Sequence, residues 1–205
     1  MVSAMSKKDY MLKVINKKDC EDLLHKYHYL TNISRGFKSG SNYGLLYKKE
    51  IVGVCIFTGL PVPELAKGMF GLDRTKQNGL YELSRLVLHP DHQAKEHNLA
   101  SWFVSRAIKS LRKNNKVKAV LSYADNDYHD GVVYKALGFG YYGLTDQKSD
   151  FWIKKDDGTY VKHSRGSVKN LEGEWRKRSQ KHRFLKVFDN NLTVKWNTQR
   201  VGAND

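Results

Sequence analysis

The segment from Leu80 to Ala124 narrows the choice of folds more than any other part of the chain. Leu80 to Leu88 is a run of strand-forming residues that ends at His89-Pro90-Asp91. Asn98 to Arg112 then carries apolar residues at helical spacing, and Val117 to Ala124 has the apolar composition of a buried strand. A strand, a helix and a second strand in this order are typical of a mixed α/β sheet with helices on its faces.

The same patterns predict the rest of this sheet, in the order β-α-β-β-β-α-β-α-β-β. Strands are predicted at Met11–Ile15, Tyr43–Tyr47, Ile51–Thr58, Leu80–Leu88, Val117–Ala124, Gly138–Leu144 and Phe151–Lys154. Helices are predicted at Lys17–His28, Asn98–Arg112 and Gly131–Leu137. Asn16 is placed to cap the first helix, and Gly59–Gly79 is predicted to be a long loop.

The charge balance indicates a polyanionic partner. The 205 residues include 36 Lys and Arg against 21 Asp and Glu, which gives a formal net charge of +15 and a pI near 9.7. A positive field of this size favours nucleic acid and, less often, a membrane surface. A solubility surface or a ribosome-adjacent protein would have the same composition, so charge alone leaves both alternatives open.

Other features of the composition argue against several classes of protein. Cys20 and Cys55 lie among apolar residues, as reduced core thiols do, and no Cys/His cluster predicts structural zinc. Met1 to Tyr10 lacks the apolar stretch of a signal peptide, and no later segment is apolar over the length of a bilayer. We therefore expect a cytoplasmic protein.

The composition becomes strongly basic in the C-terminal part. Residues 162–186 contain nine Lys and Arg but only two acidic residues, Glu172 and Glu174. We predict a catalytic domain at 1–155 and, at 156–205, a basic extension that packs on or beside it and contacts nucleic acid. The cations expected to contact DNA are Arg35, Lys38, Arg165, Arg176, Arg178, Lys181 and Arg183. A solvated tail is the alternative.

Two motifs resemble the GNAT acyltransferase superfamily. They are ELSRLVLHPD at Glu82–Asp91, which leads into a helix, and YKALGF at Tyr134–Phe139. The resemblance implies a GNAT-like mixed central sheet flanked by helices, a splayed fifth strand, and an acetyl-CoA or other acyl-CoA donor. It also implies a pyrophosphate site at a loop and helix N-terminus, which assigns the donor to Leu88, Gln93, Asn98, Ala100 and Ser101.

One departure from that superfamily concerns the donor. The loop from Gln93 to Ser101 contains no glycine, so fewer backbone amides can approach a phosphate closely. The fold expectation is unaffected. Another activated donor, such as an aminoacyl-tRNA, therefore stays open beside acyl-CoA.

A narrower resemblance is to the Mom family of phage DNA-modification proteins. Short matches occur in order between about residues 20 and 188, among them KYHY at Lys26–Tyr29, LSYAD at Leu121–Asp125, HDGVVYKA at His129–Ala136 and KHRF at Lys181–Phe184. The resemblance implies that a carbamoylmethyl-type or acyl-type group is placed on the exocyclic amine of adenine in double-stranded DNA. Such a base escapes host restriction enzymes, and the enzyme works in the host cytoplasm.

Chemistry on this amine requires the base to leave the duplex, and aromatic rings can stabilise the extruded base. Tyr27, His28 and Tyr29 at a helix end are suited to this, although His28 can equally be a satisfied structural histidine. Tyr134 occupies the GNAT position that protonates a leaving thiolate, with core packing as the alternative. Asp125 ends a buried strand, where it can orient the amine or accept its proton, or cap the next helix.

Arg85 is the remaining catalytic candidate. It lies mid-strand, and Glu82, three residues earlier, would face the other side of a regular strand. We therefore expect Arg85 to point into a polar cleft and to bind phosphate or an acyl carbonyl, with a structural ion pair as the alternative. Iron is conceivable through His28 and His129, but no ligand spacing demands it, so no metal is assigned.

Two other functions remain as alternatives to DNA modification. One is a GNAT N-acyltransferase that acts on a small amine or a protein. The other is a non-catalytic nucleic-acid-binding protein on a GNAT-like scaffold, which the glycine-free loop allows. A homodimer would help to span duplex DNA, but no coiled-coil seam indicates one.

Overall fold

A computed structural model describes residues 6–28, 37–164 and 166–197. The strands are β1 (Tyr10–Val14), β2 (Ser41–Tyr47), β3 (Glu50–Gly59), β4 (Leu80–Leu88), β5 (Ala119–Asp125), β6 (Gly140–Leu144), β7 (Ser149–Lys154), β8 (Tyr160–Lys162), β9 (Gly173–Lys177) and β10 (Lys181–Val187). The helices are α1 (Lys17–Tyr27), α2 (Glu64–Phe70), α3 (Pro90–Lys95), α4 (Leu99–Asn114) and α5 (Val132–Ala136).

Local signals in the sequence set several of these boundaries. β4 has the predicted bounds, and α1 begins after Asn16 as predicted. The Asn16 side chain accepts a hydrogen bond from the Asp19 amide at 2.9 Å, and the Asp19 carboxylate accepts one from the Asn16 amide at 3.3 Å. This reciprocal capping satisfies two amides that the first turn of the helix leaves without partners. Gly138 has φ +68°, so it makes the predicted tight transition between α5 and β6.

The main sheet has seven strands in the order β1-β2-β3-β4-β5-β10-β6. Every neighbouring pair is antiparallel except β4 and β5, which are parallel. β7 pairs with β8 and β9 in a separate three-stranded antiparallel sheet. The architecture is the predicted mixed α/β sheet with helices on its faces.

β4 and β5 pair over only part of their length. Leu80 to Leu83 lie beside Ala119 to Ser122, and no pairing between the two strands follows. At the last pair, the Ser122 hydroxyl donates a hydrogen bond to the Leu83 carbonyl at 3.2 Å. Beyond it β4 stays paired with β3 and β5 with β10, so a wedge opens between the two strands.

A β-bulge at Ser84 changes which side chains of β4 share a face. Arg85 lies opposite Ile56 and Leu83 opposite Phe57, which leaves Ser84 as the extra residue. One inserted residue offsets the alternation of a regular strand, so Glu82 and Arg85 lie on the same face. The expectation that Glu82 faces away from Arg85 was therefore wrong, because it assumed an uninterrupted strand.

The two faces of the main sheet are covered by different helices. α4 buries Phe103, Ala107 and Leu111 against one face, in a cluster that includes Phe57 and Phe184. On the opposite face, α1 packs through Cys20, Leu23 and Leu24, and α2 packs farther along through Ala66, Met69 and Phe70. Both cysteines are buried free thiols, as expected. Glu82 and Arg85 lie on the side of α1 and α2.

The fold differs from the sequence prediction in several places, and α3, β8, β9 and β10 were not predicted. The long loop predicted at Gly59–Gly79 contains α2, whose apolar residues are buried although it is only seven residues long. β7, predicted for the main sheet, belongs to the small sheet. The predicted boundary at residue 155 does not coincide with a boundary in the main sheet, since β10 lies between β5 and β6. Phe184 and Leu185 are fully buried there, and this apolar pair holds an otherwise basic strand inside the sheet.

In the part of the chain that the structure describes, no helix combines the length and apolar character needed to cross a membrane.

Candidate active-site cleft

A cleft of about 510 Å³ lies in the wedge between β4 and β5. β4 contributes residues 83–88, β5 contributes Tyr123 and Ala124, and the loop and helix after β5 contribute residues 128–134. Tyr27 and His28 at the end of α1 line it from another side, together with Gln93 and Ala100. The size and concave shape suit a small-molecule or single-base site.

Arg85 has donor groups that the protein leaves unused. It lines the cleft, and its Nη1 donates a hydrogen bond to the Ser84 carbonyl at 2.6 Å. Its Nε is buried and has no hydrogen-bond partner in the described residues. A buried donor without a partner costs free energy, so such a group at the wall of a cleft is suited to a ligand oxygen. This position agrees with the expected polar cleft.

His28 lies at the C-terminal end of α1 and is only 8% exposed. Its pKa is lowered to about 4, mainly because burial disfavours the charged ring and also because Arg85 and His129 are close. The imidazole is therefore neutral near pH 7, with one nitrogen able to accept and the other able to donate a hydrogen bond. Tyr29, the neighbouring candidate, lies outside the described residues.

The lowered pKa of His28 makes stability depend on pH. The folded state resists protonation of this ring, whereas the unfolded chain takes up the proton near pH 6.5. We therefore expect stability to be lost as the pH falls from about 6.5 to about 4, by on the order of 3 kcal/mol for this group. Urea unfolding of wild type and His28→Gln at several pH values tests this. The variant should lose less stability in acid; parallel pH profiles would contradict the assignment.

Tyr134 lines the cleft and also packs into the core. Its ring lies 5.2 Å from that of Phe184 and 5.7 Å from that of Phe139. The two roles considered for it, proton donor and packing residue, are therefore compatible, since one edge of the ring can face the core and the other the cleft.

Asp125 is buried but does not line the cleft. Its carboxylate accepts hydrogen bonds from the Ser179 hydroxyl and from the Asp127 amide, and its carbonyl accepts from the amides of Tyr128 and His129. These bonds hold the turn that presents Tyr128 and His129 to the cleft. The arrangement matches the capping alternative rather than a direct catalytic role, because the carboxylate oxygen is directed into the turn.

Glu82 is a residue that the sequence analysis set aside. The bulge places its carboxylate on the same face as Arg85, and no hydrogen bond or ion pair joins it to another described residue. Burial raises its pKa, while the positive charges of Arg85, Lys181 and Lys38 act in the opposite direction. Glu82 does not itself line the cleft, but it lies next to Arg85 and Tyr123, which do. A half-buried carboxylate in this position, with no bonded partner among the described residues, is a candidate proton acceptor.

Tyr123 connects Glu82 with the cleft. It lines the cleft, and burial together with the nearby Glu82 charge raises its pKa to about 12. The hydroxyl therefore keeps its proton at neutral pH and can both donate and accept hydrogen bonds. Only the strand register brings these two side chains to one face, since Glu82 lies beside Leu121 and Tyr123 is two residues farther along β5.

The residues assigned to the donor lie partly in the cleft. Leu88, Gln93 and Ala100 line it, whereas Asn98 and Ser101 do not. Asn98 adopts φ +57° at the N-cap of α4 without a side-chain cap, and the Ser101 hydroxyl donates to the Asn98 carbonyl at 3.1 Å. Of the glycine-free loop from Gln93 to Ser101, α3 takes in only the first three residues.

Helix α3 is held at the mouth of the cleft by two tyrosine–histidine hydrogen bonds. The Tyr27 hydroxyl bonds to His89 Nε2 at 3.1 Å, and the Tyr10 hydroxyl bonds to His92 Nδ1 at 2.9 Å. These contacts join α1 and β1 to the end of β4, so Tyr27 both lines the cleft and fixes its rim. The sequence gives no signal for either pair, because their members are 62 and 82 residues apart.

Of the seven cations predicted to contact DNA, five are described, and three of these five are engaged within the protein. Arg178 forms an ion pair with Asp150. Arg176 pairs with Glu174 and lies against the rings of Trp152 and Tyr160, and Arg183 lies 4.9 Å from the Trp196 ring with its Nε buried. Lys38 is exposed and Lys181 half-buried. Arg35 and Arg165 lie outside the described residues.

In the part of the chain that the structure describes, no group of His, Cys, Asp or Glu side chains is arranged to hold a metal ion.

Comparison with known proteins places this cleft in context. The model of the Mom protein family matches residues 9–199. No curated protein sequence matches the chain.

Solved structures share the fold at low sequence identity. The ribosomal-protein-S18-alanine N-acetyltransferase from Escherichia coli is 12% identical with a TM-score of 0.52, over 90% of this chain and 99% of that one. A GNAT family acetyltransferase from Elizabethkingia anophelis with acetyl-CoA bound is 14% identical with a TM-score of 0.52, over 89% and 100%. The polyamine N-acetyltransferase of Drosophila melanogaster is 11% identical, also at 0.52, over 88% and 100%. The fold is therefore GNAT-like, as predicted.

Proposed function

The chain belongs to the Mom protein family, and we propose that it transfers an acyl-type or carbamoylmethyl-type group to the exocyclic amine of adenine in duplex DNA. The proposed biological role is that of a phage-encoded enzyme in the host cytoplasm, whose modified base escapes restriction enzymes. The observation that carries the chemistry is that Arg85 and Glu82 lie on one face at the wedge. Among the described residues, the buried Nε of Arg85 has no hydrogen-bond partner and the Glu82 carboxylate has no bonded partner.

The first requirement is a place for an extruded adenine. Two aromatic side chains that line the cleft are also open to solvent, Tyr27 at 39% and Tyr128 at 63% exposure. Stacking of a base on an aromatic side chain contributes about 1–3 kcal/mol, comparable with the cost of extrusion. Neutral His28 can hydrogen-bond to the base edge without carrying a charge into the site.

The second requirement is a donor site. The first turn of α4 has no side-chain cap, and its Leu99 amide donates to the Glu96 carbonyl at 3.3 Å. The amides that remain for phosphate oxygens are those of Ala100, which lines the cleft, and Ser101. The residues present therefore fit an acyl-CoA, with a glycine-free loop before α4. Such a thioester would supply an activated carbonyl carbon. An aminoacyl-tRNA is the alternative donor. The phosphate backbone of its tRNA would suit a basic surface.

The residues then have distinct tasks in acyl transfer. The amine nitrogen bonds to the acyl carbon and the bond from that carbon to the leaving group breaks. Arg85 donates hydrogen bonds to the carbonyl oxygen as negative charge develops on it. Glu82, which does not line the cleft, accepts through a water or the Tyr123 hydroxyl the proton that the amine loses. Tyr134 donates a proton to the leaving group.

The proposal is tested by expressing the chain in bacteria and analysing nucleosides from their DNA by mass spectrometry. The expected result is a new adenine derivative that is absent from cells carrying an empty vector. A purified protein that turns over an acyl donor on a small amine without DNA, and leaves cellular adenine unmodified, would contradict the proposal. Purified protein with acetyl-CoA and with aminoacyl-tRNA in parallel identifies the donor.

Arg85→Ala is expected to lower the amount of modified adenine by on the order of 100-fold, because one donor to the developing oxyanion is lost. Arg74→Ala is the matched control, since Arg74 is exposed and lies outside the cleft. Circular dichroism and thermal unfolding establish that both variants fold. Full modification by a folded Arg85→Ala protein would remove Arg85 from the site.

A further inference from the structure

A second concave surface lies away from the cleft, on the outer side of α4. This groove, of about 840 Å³, is lined by α4 from Ser105 to Lys113, by Leu12 of β1, by Leu137 after α5, and by Lys186 and Phe188 at the end of β10. It shares no lining residue with the cleft. Both surfaces include residues of α4: Ala100 lines the cleft and Lys109 lines the groove. At a rise of 1.5 Å per residue, the two are about 13 Å apart along the helix axis.

The charge of this groove is uniform. Four exposed cations of α4, namely Arg106, Lys109, Arg112 and Lys113, line it together with Lys186. None of the described residues that line it is acidic. The sequence has no Asp or Glu between Glu96 and Asp125. None of the five cations forms an ion pair with a described residue, in contrast to Arg176 and Arg178 in the small sheet.

Two of these cations are fixed by aromatic contacts. The Arg112 guanidinium lies 4.3 Å from the centre of the Phe188 ring, and that of Arg106 lies 5.1 Å from the Trp102 ring. A guanidinium stacked on a ring keeps its N–H groups directed sideways and loses less conformational freedom when it binds an oxygen. Arg112 therefore presents donors toward the groove before any ligand arrives.

We propose that the α4 groove binds the phosphodiester backbone of duplex DNA and so holds the substrate while a base enters the cleft. This inference rests on the proposed function for the identity of the nucleic acid. Among the described residues that line the groove, the one aromatic ring is that of Phe188, and Arg112 covers it. These residues therefore offer no open ring on which unpaired bases could stack. That composition fits the outside of a duplex, where phosphates rather than bases are exposed.

The geometry sets the number of contacts. Arg106 to Lys113 extend about 10 Å along the helix axis, from 1.5 Å per residue. Phosphates of one strand are spaced by about 3.4 Å along a duplex, so about three of them can be neutralised here. Because each neutralised phosphate releases counterions, the groove should contribute roughly 2 to 3 to the slope of log affinity against log salt concentration.

The test is fluorescence anisotropy with a labelled duplex made only of G·C pairs, which contains no adenine and so separates binding from modification. Arg106→Ala, Lys109→Ala and Lys113→Ala are combined in one variant. The control combines Lys13→Ala, Lys18→Ala and Lys67→Ala, at lysines that are exposed and do not line the groove. The groove variant should bind at least 10-fold more weakly at low salt, with a salt slope smaller by roughly 2 to 3. The affinity and the salt slope of the control variant should both change much less.

Several outcomes would overturn the inference. Equal losses in the two variants would show a general effect of net charge, and unchanged affinity in the groove variant would place DNA elsewhere. If the groove variant binds the DNA duplex as tightly as wild type but no longer binds a duplex RNA of the same sequence, the groove binds RNA and not DNA. If the groove variant loses DNA binding as expected while wild-type protein modifies no adenine, the inference stands and the proposed function fails.

Discussion

Glu82→Gln is expected to lower the rate of adenine modification by on the order of 100- to 10,000-fold, the range typical of lost general-base catalysis. The substitution keeps the shape of the side chain and removes its ability to accept a proton. At the same time the folded state should be at least as stable as the wild type at pH 7. The carboxylate is half-buried without a bonded partner, and burial raises its pKa, so its charged form is disfavoured in the folded state.

The pH dependence separates a proton acceptor from a structural residue. Because the pKa of Glu82 is raised, the active carboxylate form is lost as the pH falls through that raised value. Wild-type kcat/KM should therefore decline on the acid side, and the residual activity of Glu82→Gln should lack this limb. The stability advantage of the variant should also shrink in acid, since the wild-type carboxyl is then protonated. Glu82→Asp should recover part of the rate.

Glu64→Gln serves as the matched control for this experiment, because Glu64 is exposed on α2, whereas Glu82 is half-buried next to Arg85. It should retain wild-type activity. A folded Glu82→Gln protein with wild-type rate and an unchanged pH profile would exclude Glu82 as the proton acceptor. A variant that is inactive and also much less stable would instead identify Glu82 as a structural residue.

Gly131→Ala is expected to cost on the order of 3 kcal/mol of unfolding free energy. Gly131 has φ +75°, and a Cβ there would lie 2.2 Å from Phe184 Cε2 and 2.4 Å from its Cζ. The left-handed backbone accounts for about 1–2 kcal/mol, and forcing atoms into a packed core adds about 1–3 kcal/mol. Phe184 is fully buried and packs against Tyr134 and Tyr141, so it has little room to move.

Gly158→Ala measures the cost of the left-handed backbone without a steric contact, and so serves as the control for Gly131→Ala. Gly158 has φ +80°, and a Cβ there would meet no atom within 4 Å. It should cost only about 1–2 kcal/mol, the backbone part alone. Thermal unfolding should show a melting temperature lower by roughly 6–12 °C for Gly131→Ala and by a few degrees for the control. Equal shifts would mean that Phe184 relaxes without cost.

Gly131→Ala should also lower activity in the protein that remains folded. Gly131 and Tyr134 both line the cleft, and movement of Phe184 would displace the ring of Tyr134. Modification per folded molecule should therefore fall more for Gly131→Ala than for Gly158→Ala. Unchanged specific activity would show that the position of this loop is not critical for the reaction.

Elements with strong local signals were predicted well. β4, the start of α1 and the apolar face of α4 follow from strand composition, a capping pair and helical periodicity. α2 was missed because seven residues carry too little periodicity, and its stability comes from burial of Met69 and Phe70. β10 was hidden in a basic run, where only Phe184 and Leu185 indicate a buried strand.

The candidate site was predicted in part. Arg85, His28 and Tyr134 line the cleft as expected, whereas Asp125 holds the neighbouring turn. Glu82 was set aside on the assumption of a regular strand, and His129 was named only as a possible iron ligand. Pairwise contacts between side chains more than 60 residues apart, such as Tyr27 with His89, leave no local pattern in a single sequence.

The sequence by itself determined the α/β class, the elements on either side of the wedge, the positive charge and the family, because these depend on periodicity, composition and short ordered motifs. The tertiary structure alone decided how the same residues are used. The bulge at Ser84 turned Glu82 toward the face of Arg85, and long-range pairing placed β10 beside β5. Ion pairs in the small sheet engage Arg176 and Arg178, two of the cations predicted to contact DNA, whereas the four cations on the outer face of α4 form no ion pair with a described residue. Register and pairing arise from contacts between distant segments, and a local pattern carries no information about them.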